Sequence, residues 1–389
     1  MKHKKKLVRA CTVADSTDFV KEILGELGKE YELVILSSDG RELQALEEKW
    51  RDVVDEDGRR VVRCIPVEME RHINVWKDMK SLARLISVFR QEKPDMVHSI
   101  TPKAGLLCMI AAKLTRVPVR IHTFTGLIWP TSKWLKRWLL MATDSLTCSC
   151  ATHIIPEGRG VMNDMRYITD KKMKVLGYGN VRGVNMKYYD RRPEVMELAK
   201  DLRRDDLITF LFVGRLVKDK GVEELVEAFE RLYNKKPNCR LWMVGYYEGV
   251  LDPISGETEK RMKRCDGIEY VGSKWNDELL AYYAAADCFV CPSYREGFPN
   301  VVLEAGAMGL PSIVTDINGS REIIIEGENG TIIPPRDVDS LFAAMEEMMG
   351  EKEWRLGMGS RARQSIEERF DQRFVCRCLM DYYREIQKD

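Results

Sequence analysis

The chain has 389 residues, 44% hydrophobic and 32% charged, which excludes a disordered polypeptide and suggests about two domains of ordinary size. With 62 Lys and Arg against 61 Asp and Glu, it carries no electrostatic footprint for nucleic acid. No segment reaches the roughly 18 consecutive apolar residues of a membrane span.

The charge is unevenly shared. Residues 1–190 hold 33 basic and 24 acidic side chains, and the rest of the chain is acidic by eight, so the N-terminal half is expected to face an anionic partner. The opening Met1–Lys6 is basic like the start of a signal peptide, but Arg9 and Asp15 break the apolar segment behind it. A first strand around Leu7–Val13 is the better reading, and export is not expected.

Apolar runs at Tyr31–Leu36, Val61–Val67, Met96–Ile100 and Val119–Thr123 then alternate with amphipathic stretches such as Trp76–Phe89 and Ala104–Leu114. This pattern predicts parallel βαβ units with a sheet covered on both faces. A polar stretch from Tyr188 to Asp206 follows. The alternation restarts with strands expected at Leu207–Val213, Arg240–Val244, Glu269–Val271, Cys288–Cys291 and Ser312–Val314. The expected fold class is therefore α/β, with two doubly wound, Rossmann-like domains facing across a cleft: residues 1–190 and 191–367. A C-terminal helix at about 368–389 is expected to pack back on the first domain.

The eleven cysteines are scattered and fit a reducing cytoplasm. Cys288 and Cys291 form a CxxC inside a strand, where the pleat points them to opposite faces, so a core role is expected. Five histidines without ligand spacing predict no metal site.

Ligands of open α/β sheets sit at the carboxyl ends of the strands. After the strand ending at Val213, Gly214 and Gly221 allow close backbone approach, and Arg215 and Lys220 flank the turn into a helix. Two fixed cations there suit a diphosphate, although the spacing is not that of a Walker loop. After Cys288–Cys291 comes Arg295-Glu296-Gly297-Phe298-Pro299-Asn300-Val301-Val302-Leu303-Glu304. Pro299 suits a helix start, with amides near Asn300 to Val302 facing an anion. Carboxylates repel phosphates but accept hydrogen bonds from hydroxyls. Glu296 and Glu304 therefore predict sugars on both sides of the diphosphate.

The Glu296-x7-Glu304 pair, with Gly214-Arg215-Leu216, Lys220-Gly221, Val271-Gly272 and Gly319-Ser320-Arg321-Glu322 in the same order, resembles retaining glycosyltransferase family 4, of GT-B fold. The resemblance covers the second domain fully and the first less closely. It implies sugar transfer from a nucleoside diphosphate sugar, with no other cofactor. Catalytic roles fall on Arg215 and Lys220, at the donor diphosphate, and on Glu296, at the donor sugar. Glu304 would hold the ribose and Ser273 and Lys274 the base, with backbone contacts from Gly214 and from Gly297 to Val302.

The chain departs from the family in the first domain. Where many members have His before a glycine, this sequence has Thr125 before Gly126, with His122 three residues earlier. Thr125, His122 or neither takes the sugar contact. The loop Thr12–Ser16 lacks the family's Gly-Gly, which leaves any phosphate contact from Ser16 open. Glu157 resembles a cleft position, and Lys103 is placed to meet an acceptor phosphate.

Trp129–Met141 combines three tryptophans with Lys133, Lys136 and Arg137, a composition suited to an anionic membrane surface. The segment Val119–Glu157 and Asp316–Glu322 resemble bacterial transferases that assemble capsule or O-antigen repeats. That resemblance implies a UDP-sugar donor (an N-acetylated hexosamine among the candidates), a lipid-linked polyprenyl-diphosphate glycan acceptor, and a cytoplasmic enzyme on the inner face of the cell membrane. The alternatives are a sugar-nucleotide epimerase of the same fold, a non-catalytic nucleotide- or membrane-binding scaffold, and a dinucleotide oxidoreductase. The last would use Gly177-x-Gly179-x3-Gly183, which no helical pattern follows.

Overall fold

The computed structural model describes residues 4–17, 23–54, 58–70, 74–249 and 252–387; Met1, Lys2 and His3 of the basic opening lie outside these. The chain folds into two compact units, one of residues 1–182 with 375–389 and the other of residues 183–374.

Each unit is built on a six-stranded sheet in which every pairing of named strands is parallel. The first contains β1 (Lys5–Ala10), β2 (Tyr31–Ser37), β3 (Val62–Pro66), β4 (Met96–Ile100), β5 (Val119–Phe124) and β6 (His153–Pro156), in spatial order β3-β2-β1-β4-β5-β6. The second contains β7 (Ile208–Val213), β8 (Cys239–Val244), β9 (Ile268–Gly272), β10 (Cys288–Cys291), β11 (Ser312–Thr315) and β12 (Gly330–Ile333), in order β12-β11-β10-β7-β8-β9. Counted within its own unit, this is the same winding: three strands run one way from the first, and three run the other way from its neighbour. Each sheet therefore reverses direction once, between β1 and β4 and between β7 and β10, and there the loops diverge and open a crevice.

Parallel strands are buried on both faces, which explains near-continuous apolar runs such as the fully buried β8. The pleat sorts neighbouring residues between two cores. Cys288 and Val290 pack with Phe210, Phe212 and Phe229, whereas Phe289 and Cys291 pack with Leu211, Val302 and Leu303. The two CxxC thiols thus face opposite sides of the sheet, and burial pushes that of Cys291 up to about 11.

The polar stretch after Tyr188 is not a bare connector. Pro193–Leu202 is a helix that buries Val195 and Ala199 and packs on helix Asn276–Ala285. The last helix, Gln372–Glu385, places Leu379, Met380 and Tyr383 in the first unit's core with Leu7, Leu33 and Ile121. The Tyr383 hydroxyl lies 3.5 Å from Arg9 Nη1 and also contacts His98 Nδ1, so polar as well as apolar groups seat this helix.

Candidate functional site

Two loops leave β7 and β10, the neighbours between which the second sheet reverses. Gly214 begins the first, and its carbonyl lies so close to Gly245 that a Cβ there would sit 1.8 Å from it. The 3-10 turn Lys218–Lys220 ends at Gly221, in the left-handed region at φ +68°, where a Cβ would sit 2.1 Å from the Pro292 carbonyl oxygen. The turn therefore rests directly on the loop that follows β10. Tyr294 N–H donates to the Asp219 carbonyl at 2.8 Å and Arg295 Nη2 to Asp219 Oδ2 at 3.2 Å, lacing the two loops together.

This contact brings Lys220 to Glu296, 76 residues away, as a half-buried ion pair. Ser293 Oγ donates to the same Glu296 oxygen at 2.9 Å. Burial pulls the Lys220 ammonium down, but the charge and hydrogen bond of Glu296 together with the neighbouring Cys291 and Asp219 outweigh it, so the group stays above its ordinary value and charged at neutral pH. Arg215 is paired with Glu248 in the loop after β8. Burial again opposes the charge, and the hydrogen bond and charge of Glu248 with those of Asp219 and Tyr246 together outweigh it, holding the guanidinium above its ordinary value. Both cations expected at a diphosphate are thus already matched by carboxylates, which an incoming phosphate group must displace or share. Glu248 carries no motif and is invisible in sequence; only the β7–β8 pairing brings it to Arg215.

Gly297 and Phe298 are fixed from the other side by Gly319, where a Cβ would lie 2.4 Å from the Gly297 carbonyl oxygen. Pro299 stands at the N-cap of helix Asn300–Ala307, one residue earlier than a first-turn position. Val302 N–H donates to the Pro299 carbonyl at 3.0 Å. Of the amides expected to face an anion, Val302 is therefore engaged inside the turn, while Val301 precedes the first helical hydrogen bond. Glu304 is buried one turn on, its Oε1 accepting from Tyr189 at 2.8 Å and its Oε2 from Tyr283 at 3.2 Å. Ser273 and Lys274 follow β9, two strands from β7 and hence roughly 10 Å away across the sheet, about the span between the phosphates and base of a nucleotide. The Lys274 ammonium lies 5.9 Å from the Tyr282 ring centre.

In the first unit the reversal between β1 and β4 is bridged by two threonines. Thr12 Oγ1 is 2.7 Å from Thr101 Oγ1, and Thr12 N–H donates to the same oxygen at 3.0 Å. Ser16 lies in the adjoining 3-10 turn Ala14–Thr17. Lys103 is ion-paired like the cations of the second unit, its ammonium 2.7 Å from Asp78, so a phosphate there must displace or share that carboxylate. His122 is a core residue. Its Nδ1 is 2.9 Å from Ser99 Oγ, its ring lies beneath Gly105, and burial lowers its pKa to about 3, leaving it neutral. Glu157 is buried at the end of β6, its backbone joined to Phe124 and Asn180.

Thr125 lines a small pocket with His122 itself, Thr123, Phe124, Gly126, Leu140 and Asp144 among its other walls. Burial among these groups raises the Asp144 carboxyl from 3.8 to about 7. Between those values the folded chain binds more protons than the unfolded one, so stability falls as pH rises through that window. Asp144→Asn is expected to stabilise the protein by about 2–3 kcal/mol at pH 8 and by clearly less at pH 5. Equal changes in melting temperature at both values would refute the assignment.

The aromatic segment is divided by the fold. Trp129 is core, 2% exposed, under the guanidinium of Arg137, and Met141 packs against the same core. Helix Trp134–Cys150 turns Trp134 (88% exposed), Leu135, Trp138 (70%) and Leu139 outward, with Lys133, Lys136 and Arg137 exposed among them. The outward stripe is thus 134/135/138/139, because the opposite face must cover helix Pro102–Leu114. No acidic residue occurs from Gly126 to Thr143. A second outward group went unnoticed in the sequence: Val75, Trp76 (82%) and Met79 open helix Val75–Glu92 beside Lys77 and Lys80. Both helices run back from the carboxyl edge of the same sheet and flank Pro102–Leu114, so the two apolar groups share one edge of this unit.

Two such sheets, with paired cations and carboxylates at a reversal point, define a GT-B glycosyltransferase. The chain belongs to the group 1 glycosyltransferases: residues 196–365 match the family described as "Glycosyl transferases group 1", and residues 19–179 match "Glycosyl transferase 4-like domain". It is similar to the capsular polysaccharide biosynthesis glycosyltransferase CapM of Staphylococcus aureus, 29% identical over 99% of this chain and 98% of that protein. It is also 29% identical to the Escherichia coli UDP-Gal:alpha-D-GlcNAc-diphosphoundecaprenol alpha-1,3-galactosyltransferase, over 72% of this chain and 73% of that one. Among solved structures, Anabaena HepE in complex with UDP and glucose superposes with a TM-score of 0.79 over 98% of this chain and all of that one, at 15% identity.

Proposed function

We propose that this glycosyltransferase moves a sugar from a UDP-sugar, with retention at the anomeric carbon, to a lipid-linked polyprenyl-diphosphate glycan during surface polysaccharide synthesis. The observation that carries the proposal is the meeting of Lys220 and Glu296 where the second sheet reverses. One group suits a diphosphate and the other a sugar hydroxyl, so together they suit the junction between sugar and leaving group. The second unit then takes the donor: Arg215 and Lys220 on the diphosphate, Glu304 on the ribose, Ser273 and Lys274 toward the base, and Glu296 with the backbone of Gly297 to Val302 on the sugar. As the glycosidic bond breaks, charge accumulates on the diphosphate, and fixed cations stabilise that charge more than they stabilise the bound donor.

The first unit takes the acceptor, with Thr125 at its pocket. Its two outward tryptophan groups, with their lysines, dock on the inner face of the membrane, where aromatic rings favour the interface and cations the anionic headgroups. The named substrates of the Escherichia coli relative support a UDP-sugar donor and a diphosphate-lipid acceptor.

The test is a melting-temperature panel with UDP, GDP, ADP, their sugars and NADPH, followed by radiolabelled transfer to a lipid-diphosphate sugar in anionic vesicles. The expected result is a shift with UDP and its sugar alone, and transfer that falls when Trp76, Trp134 and Trp138 are replaced by Ser. Isomerisation of the donor without transfer would favour the epimerase reading, and a shift with NADPH alone would reject both.

A further inference from the structure

Glu304 is 8% exposed, and each of its carboxylate oxygens accepts a phenolic hydroxyl from a different part of the second unit. Tyr283 is fully buried on helix Asn276–Ala285. Tyr189 is half-buried in a turn, its N–H donating to the Asn185 carbonyl at 2.9 Å and its own carbonyl accepting from Arg363 Nη1 at 3.2 Å. Its ring stands edge-on to Tyr188, with centres 5.0 Å apart.

A glutamate's terminal torsion is broad, so an unsupported carboxylate samples many planes. One hydroxyl on each oxygen fixes that plane. Each carboxylate oxygen accepts more than one hydrogen bond, so a phenol on each is compatible with a vicinal diol across the same two oxygens. We propose that Tyr189 and Tyr283 are positioning residues for donor recognition, orienting Glu304 toward the two ribose hydroxyls; this rests on the assignment of Glu304 to the ribose made above. Burial first, and the Glu304 charge next, keep the Tyr283 hydroxyl protonated well beyond the ordinary range, so it remains a donor. Tyr189, nearer the surface, is the more informative of the two because its loss leaves the core intact.

The experiment compares binding of the ribo- and 2′-deoxyribo forms of UDP, GDP and ADP to the wild type, Tyr189→Phe and Tyr283→Phe by calorimetry. For the nucleotide that binds, Tyr189→Phe is expected to weaken the ribo form about tenfold, the scale of one hydrogen bond to a charged group, and the 2′-deoxy form less than twofold. Tyr283→Phe should follow the same pattern if it folds. Equal weakening of both forms would make the tyrosines merely structural, and unchanged ribo binding would remove their role, either result overturning the inference while the donor site stands. A wild type that binds none of the three diphosphates would overturn the ribose assignment and this inference together.

Discussion

Replacing Lys220 by Met is expected to lower kcat for sugar transfer by about 10²–10³, the usual range when one fixed stabiliser of developing charge is removed. The side chains are similar in length, so packing against the Pro292 loop persists while the cation is lost. Two effects add. The leaving diphosphate loses its partner, and Glu296, which Lys220 and Ser293 share in the wild type, keeps only the Ser293 hydroxyl of the two at that oxygen. The comparison with Glu296→Gln separates them, since that variant keeps the shape of the pair and removes its negative charge. If Lys220 acts in the transition state, kcat falls while the affinity for free UDP changes far less. A rise in KM alone would place it in uniform substrate binding.

Gly221→Ala is expected to destabilise the protein by about 2–5 kcal/mol and to abolish transfer with it. The left-handed backbone costs a side chain about 1–2 kcal/mol. A Cβ 2.1 Å from the Pro292 oxygen forces the two loops apart, at the roughly 1–3 kcal/mol typical of overpacking. Gly327→Ala provides the control. Its φ of +73° is nearly the same and nothing lies within 4 Å, so only the backbone cost of about 1–2 kcal/mol should appear in denaturant titrations. Equal losses at the two positions would show that the close approach of the loops does not constrain Lys220.

Much of the second unit's site is legible because its residues are short-range signals. Gly214, Arg215 and Lys220 fall within seven residues, and Glu296 and Glu304 within nine, each group directly after an apolar run. The first unit is harder to read. His122 stands near a glycine, and its strand register buries it under Gly105 while its ring still lines the pocket of Thr125, a double placement that sequence spacing does not reveal. Lys103 opens a helix at a strand end, as an anion ligand would, and its pairing with Asp78 from the preceding helix is a contact no local pattern announces. Trp129 and Trp134 are five residues apart and similar in composition, and only the turn before helix Trp134–Cys150 sends one inward and the other to solvent.

The alternation of apolar runs and amphipathic segments, fixed by the periods of strand and helix, determined by itself that this is a parallel α/β chain with its chemistry at strand ends. The linear order of glycines, cations and carboxylates determined its family. Tertiary structure alone decided the partners of those charges. Lys220 meets Glu296 because Gly221 lets one loop lie on another, Arg215 meets Glu248 because β7 pairs with β8, and Glu304 receives two tyrosines from separate elements. Local periodicity records the environment each residue needs, whereas a contact between residues 21 to 115 positions apart depends on strand order and register, which no single segment encodes.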